Sequence, residues 1–252
     1  MTSASHPSAA GEVERGKDAL RTAFGLIRVI NLPERTDRRR EITAQLETLG
    51  IPISPGTVEM FAGIRPTEAA GFPNPAARGC FLSHLEVLRD ARLRGVASLL
   101  VIEDDLQVLA GRIASFAVVL EGLKQREWGI LHLGHAEQGG PDMRQGLNTI
   151  VGPVHMSHFY AVHRSAFDPL IDYLEQCLVR RPGDPIGGPM HFDGALTMFR
   201  RWNSEVVTLI AQPSLGRQRA SRSDISPSRI DRIPLIRPSI HILRQLRRSF
   251  DS

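Results

Sequence analysis

Apolar and polar positions alternate between two periods along this chain, and the switches between them outline an α/β protein. Phe24 to Leu32 (FGLIRVINL) is a short β-branched, apolar run stopped by Pro33, the pattern of a buried strand. Polar residues Glu34 to Arg40 follow, and then Ile42, Leu46 and Leu49 at helical spacing, closed by Gly50 and Pro52. A looser Pro- and Gly-containing segment spans Ile53 to Arg78. The spacing then predicts a helix over Ser83 to Arg94 with Leu85, Leu88 and Leu93 on one side. Ser98 to Ile102 (SLLVI) is the strongest strand signal and runs directly into Glu103-Asp104-Asp105. Further strands are expected at Trp128 to Leu133, Phe159 to His163 and Val206 to Ile210, with helices at Ser165 to Leu178 and Asp193 to Trp202. Gly134 to Gly152 reads as a loop, and Gly183 to Pro189 as a break. This alternation predicts one α/β domain over residues 24–225, preceded by a flexible leader (1–23) and followed by a tail (226–252).

Composition narrows the class. The 252 residues are 42% hydrophobic and 23% charged, near the globular average, which excludes wholesale disorder. No apolar run approaches the roughly 18 residues of a bilayer span, and the first twenty residues lack the apolar segment of a secretory signal. With only Cys80 and Cys177, no disulfide framework is expected, and a cytoplasmic enzyme is the first expectation. Lys17 and Lys124 are the only lysines; all other basic residues are arginine, whose planar fork suits phosphate as well as reflecting base composition. Nine arginines lie between Arg217 and Arg248. Ile236, Ile240, Leu243 and Leu246 fall at helical spacing among them, so the tail could lie on an anionic membrane or pack on protein. Phe250 is its one aromatic residue, which argues against nucleic acid as the partner.

The acidic triplet is the main candidate for chemistry. Ligands of open α/β sheets bind outside the carboxyl ends of strands, where Glu103-Asp104-Asp105 stands. In extended chain Glu103 and Asp105 project together and Asp104 apart, and two convergent carboxylates suit Mg²⁺ or Mn²⁺. A solvated acidic turn is the plain alternative. His132 and His135, with His155 and His158, form two H-x-x-H pairs, but residues three apart fall on opposite faces of a strand, which disfavours zinc. No G-x-x-x-x-G-K or G-x-G-x-x-G pattern is present.

Three segments in this order resemble glycosyltransferase family 25: Val29-Ile30-Asn31-Leu32 with Arg35, Arg38 and Arg39; Arg78-Gly79-Cys80-Phe81-Leu82-Ser83-His84; and Glu103-Asp104-Asp105 after its strand. The resemblance runs from about Ile27 to Ile225, its end supported by Pro213-Ser214 and Ser223-Asp224. It implies a glycosyltransferase A-type, Rossmann-like single domain with a mixed, mainly parallel sheet. The implied activity is metal-dependent, inverting transfer of a hexose, galactose from UDP-galactose first, to a lipopolysaccharide or related surface glycan. UDP-glucose or a UDP-N-acetylhexosamine is the alternative donor, and an inert sugar-nucleotide or glycan-binding module the alternative class. By family position Glu103 and Asp105 are the metal-side residues and Asp104 faces the sugar or ribose. Asn31 and Arg38 are candidates for nucleotide base or phosphate, and Arg78 joins them on the donor side. Ser83 and His84, read as opening a helix, are donor-side candidates or, respectively, an N-cap and a packing residue. Asp193 is the candidate base, or a helix cap, with His191 as a possible metal or acceptor contact. Pro213-Ser214 departs from the collagen-modifying branch, where a histidine follows the proline, leaving the third metal ligand open.

Overall fold

A computed structural model describes residues 8–136 and 144–219. Nine strands form one mixed sheet among these residues: β1 (Leu26–Asn31), β2 (Val58–Ala62), β3 (Ser98–Glu103), β4 (Leu106–Val108), β5 (Ile130–Gly134), β6 (Gly146–Thr149), β7 (Phe159–His163), β8 (Thr208–Gln212) and β9 (Gly216–Gln218). The main order is β2-β1-β3-β7-β5-β8-β6, with β9 bridging β4 and β5. Strands β1, β2, β3, β5, β8 and β9 run one way, and β4, β6 and β7 oppose them, so the sheet is mostly parallel.

Six helices among the described residues cover both faces, and the pleat of the strands decides what each receives. Leu100 and Ile102 of β3 face one cluster, shared with Leu20 of α1 (Ala9–Ala23), Ile42 and Leu46 of α2 (Thr36–Thr48) and Phe116 of α4 (Ser115–Lys124). Leu99 and Val101 face the other, shared with Phe81, Leu85 and Leu88 of α3 (Pro75–Leu93), Leu170 and Leu174 of α5 (Phe167–Val179) and Phe199 of α6 (Phe192–Trp202). Arg28 is buried on β1 because ion pairs to Glu59 of β2 and Asp90 of α3 compensate it.

Several expectations need correction. Residues 9–23 of the expected leader are helical, capped by Ser8, with Leu20 fully buried; four-residue spacing from Gly16 to Leu20 is a thin stripe, and Gly16 fits it against the backbone of Ile113. Helix α3 starts at Pro75, with the Asn74 side chain accepting from the Ala77 N–H at 2.8 Å, so Ser83 and His84 lie mid-helix and open nothing. Leu93 at its end is exposed and leaves the apolar side shared by Leu85 and Leu88. The loose segment before it holds β2, and the loop after Gly134 holds β6, paired antiparallel to β8. The tail 226–252 and Ser223-Asp224 lie outside the described residues. No helix among the described residues is long and apolar enough to cross a membrane.

Gly79 and Ser83 together fasten α3 to the chain leaving β2. A Cβ at Gly79 would stand 2.3 Å from the Ile64 carbonyl oxygen, and one turn on, Ser83 Oγ accepts from the Ile64 N–H at 2.8 Å while donating to the Gly79 carbonyl at 2.7 Å. Gly79→Ala is therefore expected to destabilise by about 1–3 kcal/mol through overpacking, read as a lowered urea midpoint; an unchanged midpoint would contradict this close approach.

Candidate functional site

The parallel pairing of β1 with β3 sets Ile30 opposite Glu103, so both strands end at the same edge. There the Asp104 N–H donates to the Ile30 carbonyl at 3.1 Å and the Glu103 N–H to the His158 carbonyl at 2.9 Å. Helix α2 contributes Arg38, one turn before Ile42 and Leu46 on the same buried stripe, which carries its guanidinium to the strand ends. The segment from β9 to Arg219 closes the far side: Arg219 donates to the carbonyl oxygens of both Asp104 and Asp105, and its side chain pairs with Glu41. Gly134 lets β5 approach, since a Cβ there would stand 2.6 Å from His158 Nε2.

The three carboxylates are held differently. Strand β3 ends at Glu103, so the alternation that predicted convergence of Glu103 and Asp105 stops there, and the two aspartates occupy a turn. Asp104 accepts from Arg38 Nη1 at 2.9 Å and Asn31 Nδ2 at 2.8 Å; Asn31 Nδ2 also lies 3.3 Å from the Arg35 carbonyl. Asn31 and Arg38 are thus spent largely on Asp104, and the side chain expected to face a sugar is tied inward. Glu103 accepts from His84 Nε2 at 3.1 Å, and His84 Nδ1 lies 3.0 Å from the Tyr160 hydroxyl. The His84 ring is fully buried and stacks on Phe192 at 4.1 Å. Asp105 Oδ2 accepts from Gln218 Nε2 at 3.0 Å and lies 3.5 Å from Arg38 Nη1, whereas its buried Oδ1 has no hydrogen-bond partner.

The electrostatics follow this division. Burial works against ionising Glu103, but the hydrogen bond and charge of His84, with the charges of His158 and Arg38, hold it below the usual carboxylate range. Burial raises Asp104, against Arg38 and Asn31. Burial and the Glu103 charge push Asp105 up to about 7. Burial also raises the Cys80 thiol well above its ordinary value, helped by the carboxylates of Glu103, Asp193 and Asp105.

The remaining candidates separate. Asp193, in the first turn of α6, accepts from the Met156 N–H at 3.2 Å and the Gly194 N–H at 2.8 Å, and pins Met156 at a left-handed φ of 74°. Arg78 donates to the Glu68 carbonyl at 3.1 Å, with no recorded bond to the carboxylates. Ser83 is spent on Ile64 and Gly79, as a fastening rather than a donor contact. His191 is exposed at the N-cap of α6 without a capping bond. Ser214, the position at which the sequence departs from the collagen-modifying branch, accepts from the His135 N–H at 3.1 Å and donates to the Gly216 carbonyl at 2.7 Å, holding β9 in place.

Sequence reasoning missed Cys80 beside Glu103, the closure by Gln218 and Arg219, and Arg200. Cys80 lies four residues before His84, a helical spacing that could have flagged it. Arg200 is buried on α6 and donates to the Gly152 carbonyl at 3.0 Å, it pairs with no carboxylate among the described residues, and burial lowers its pKa to about 10. The H-x-x-H pairs make no metal cluster among the described residues: both ring nitrogens of His135 face carbonyl oxygens, and neither of His132 has a partner.

Burial, then the positive charges of Arg200, His135 and His158, lower His132 from 6.5 to about 3. Below pH 6.5 the unfolded chain takes up a proton that the folded chain refuses, so this residue removes stability as pH falls from about 6.5 to about 3. The slope is about 1.4 kcal/mol per pH unit. His132→Leu is expected to flatten that acid limb in denaturant titrations across pH; an unchanged limb would contradict the assignment.

Neither a protein-family model nor a curated protein matches the chain.

Proposed function

We propose that the chain is a metal-dependent, inverting glycosyltransferase with a glycosyltransferase A-type domain, moving a hexose from a UDP-sugar to a surface-glycan acceptor. Galactose from UDP-galactose and a lipopolysaccharide acceptor are the first donor and acceptor to test, with UDP-glucose and UDP-N-acetylhexosamines next. The observation that carries the reading is the carboxylate turn at the end of β3, where Asp105 keeps a buried oxygen unpartnered. Asp104 is already compensated by Arg38, so Glu103 and Asp105 are the residues that fit a hard divalent cation, Mn²⁺ or Mg²⁺. Such a cation supplies charge neutralisation to a departing diphosphate.

The chain's own residues divide the remaining work. Arg38 favours the ionised form of Asp104 and aligns it, while its guanidinium lies 3.5 Å from Asp105, beside the position where phosphate charge would collect. Asn31 holds the β1 end against the same turn. Asp193, kept in one orientation by two backbone N–H groups and only half-buried, is the group that takes the proton of an acceptor hydroxyl. Both of its carboxylate oxygens are occupied by those N–H groups, Oδ2 by Met156 and Oδ1 by Gly194, and that occupation favours a second reading, a sugar-nucleotide-binding module without turnover.

Calorimetry separates these readings. UDP is expected to bind more tightly with Mn²⁺ than with EDTA, and Asp105→Ala to erase the difference; equal binding in both buffers would defeat the metal role. Asp193→Asn is expected to keep UDP affinity and lose transfer by about 10²–10⁴-fold, the usual contribution of a general base. Undiminished turnover in Asp193→Asn would remove it as the base, and Mn²⁺-dependent UDP binding without turnover by the wild type across UDP-sugars would favour the binding module.

A further inference from the structure

Helical spacing puts Cys80 and His84 on one side of α3, above the end of β3. Cys80 Sγ, a His84 ring nitrogen and a Glu103 carboxylate oxygen all lie within 4.8 Å of one another. We propose that Cys80, His84 and Glu103 form a Zn²⁺-type binding site, separate in donor chemistry from the hard-cation position at Asp105. The donor set decides the class of metal. Thiolate and imidazole select zinc-like borderline ions, whereas Mg²⁺ and Mn²⁺ prefer oxygen.

The spacing agrees with one ion. Zn–N and Zn–O bonds of about 2.0–2.1 Å at a tetrahedral angle put the two ligand atoms roughly 3.3 Å apart; His84 Nε2 and Glu103 Oε1 are 3.1 Å apart. The outer contacts suit the same arrangement. With Nε2 on the metal, Nδ1 carries the ring proton and donates to the Tyr160 hydroxyl 3.0 Å away, which fixes tautomer and ring orientation. Stacking on Phe192 holds the ring plane. Access to the site exists at Glu103, whose side chain keeps 16% of its surface exposed. On binding, the Cys80 S–H bond and the His84 Nε2–H bond that faces Glu103 break, both protons leave to solvent while Nδ1 keeps its own, and the freed sulfur and nitrogen lone pairs form the bonds to the metal. Three protein ligands leave the fourth position to water, the pattern of an open zinc site. Glu103 is shared with the proposed nucleotide site, so on that reading the two cations compete.

The test uses the full chain, treated with chelator and then titrated with Co²⁺, which reports thiolate ligation directly. A thiolate-to-cobalt charge-transfer band and intensified four-coordinate d–d bands are expected at one equivalent. Zn²⁺ should bleach them and Mg²⁺ should not. Cys80→Ser is expected to lose the charge-transfer band with its circular dichroism intact, Cys177→Ser to keep it, and Tyr160→Phe to weaken affinity about 10–100-fold. A wild-type chain without the band, or a band that survives Cys80→Ser, would overturn the site. Should Cys80→Ser fail to fold, alkylation of the wild type decides: Zn²⁺ must slow labelling of Cys80, mapped by peptide mass, and an unaltered rate overturns the proposal. None of these readouts requires sugar transfer or nucleotide binding, so their failure and that of the transferase reading are told apart.

Discussion

The buried ion pair between Arg38 and Asp104 is the constraint around which this end of the molecule is arranged. Three consecutive carboxylates at the end of a central strand repel one another, and in a protein interior each also loses hydration worth several kcal/mol. Such a turn survives only if cations and donors reach it. Arg38 arrives from α2 and Asn31 from β1, and both bind Asp104 at under 3 Å. The pair thereby joins two neighbouring strands and a helix at one point, and Arg219 caps the same turn through its backbone oxygens.

Compensation is uneven, and the unevenness gives the site its chemical direction. Asp104 is paired, Glu103 is held by a buried histidine that Tyr160 orients, and Asp105 has one oxygen bonded and one without a partner. The buried charge deficit therefore concentrates at Asp105, whose pKa reaches about 7. Perturbation of this kind, by burial plus a named neighbouring charge, clusters at functional sites, and structural ion-pair networks produce it too. On our reading that deficit is what a divalent cation and a diphosphate would meet. Cys80 stands near enough to the same carboxylates to feel all three of Glu103, Asp193 and Asp105.

Strands with mainly apolar runs were legible in the sequence, because burial on both faces of a central strand favours such runs: LIRVIN, interrupted by Arg28, and SLLVIE became β1 and β3 with their ends shifted by a residue or two. The helix start at Asn74-Pro75 carried a readable cap signal, but it lay inside the Pro- and Gly-containing segment read as loose; Gly79, further on, is there for close packing on Ile64. Short strands such as β4 and β9 had no periodicity to read, since three residues pair only through tertiary context. The same holds for the site. The acidic turn was visible as a run of residues, but the division of its partners was not: Gln218 lies more than a hundred positions away, and the direction of each carboxylate depends on where β3 stops. Arg38 was expected to meet nucleotide base or phosphate, whereas its guanidinium pairs with Asp104.

The most direct measurement of the central claim, that the carboxylate turn holds a cation beside a nucleotide, is an anomalous difference map from a crystal grown with UDP and Mn²⁺. The account predicts a manganese peak in coordination contact with Asp105 and with the UDP diphosphate. A map with no peak there, or with manganese only beside Cys80 and His84, would contradict it.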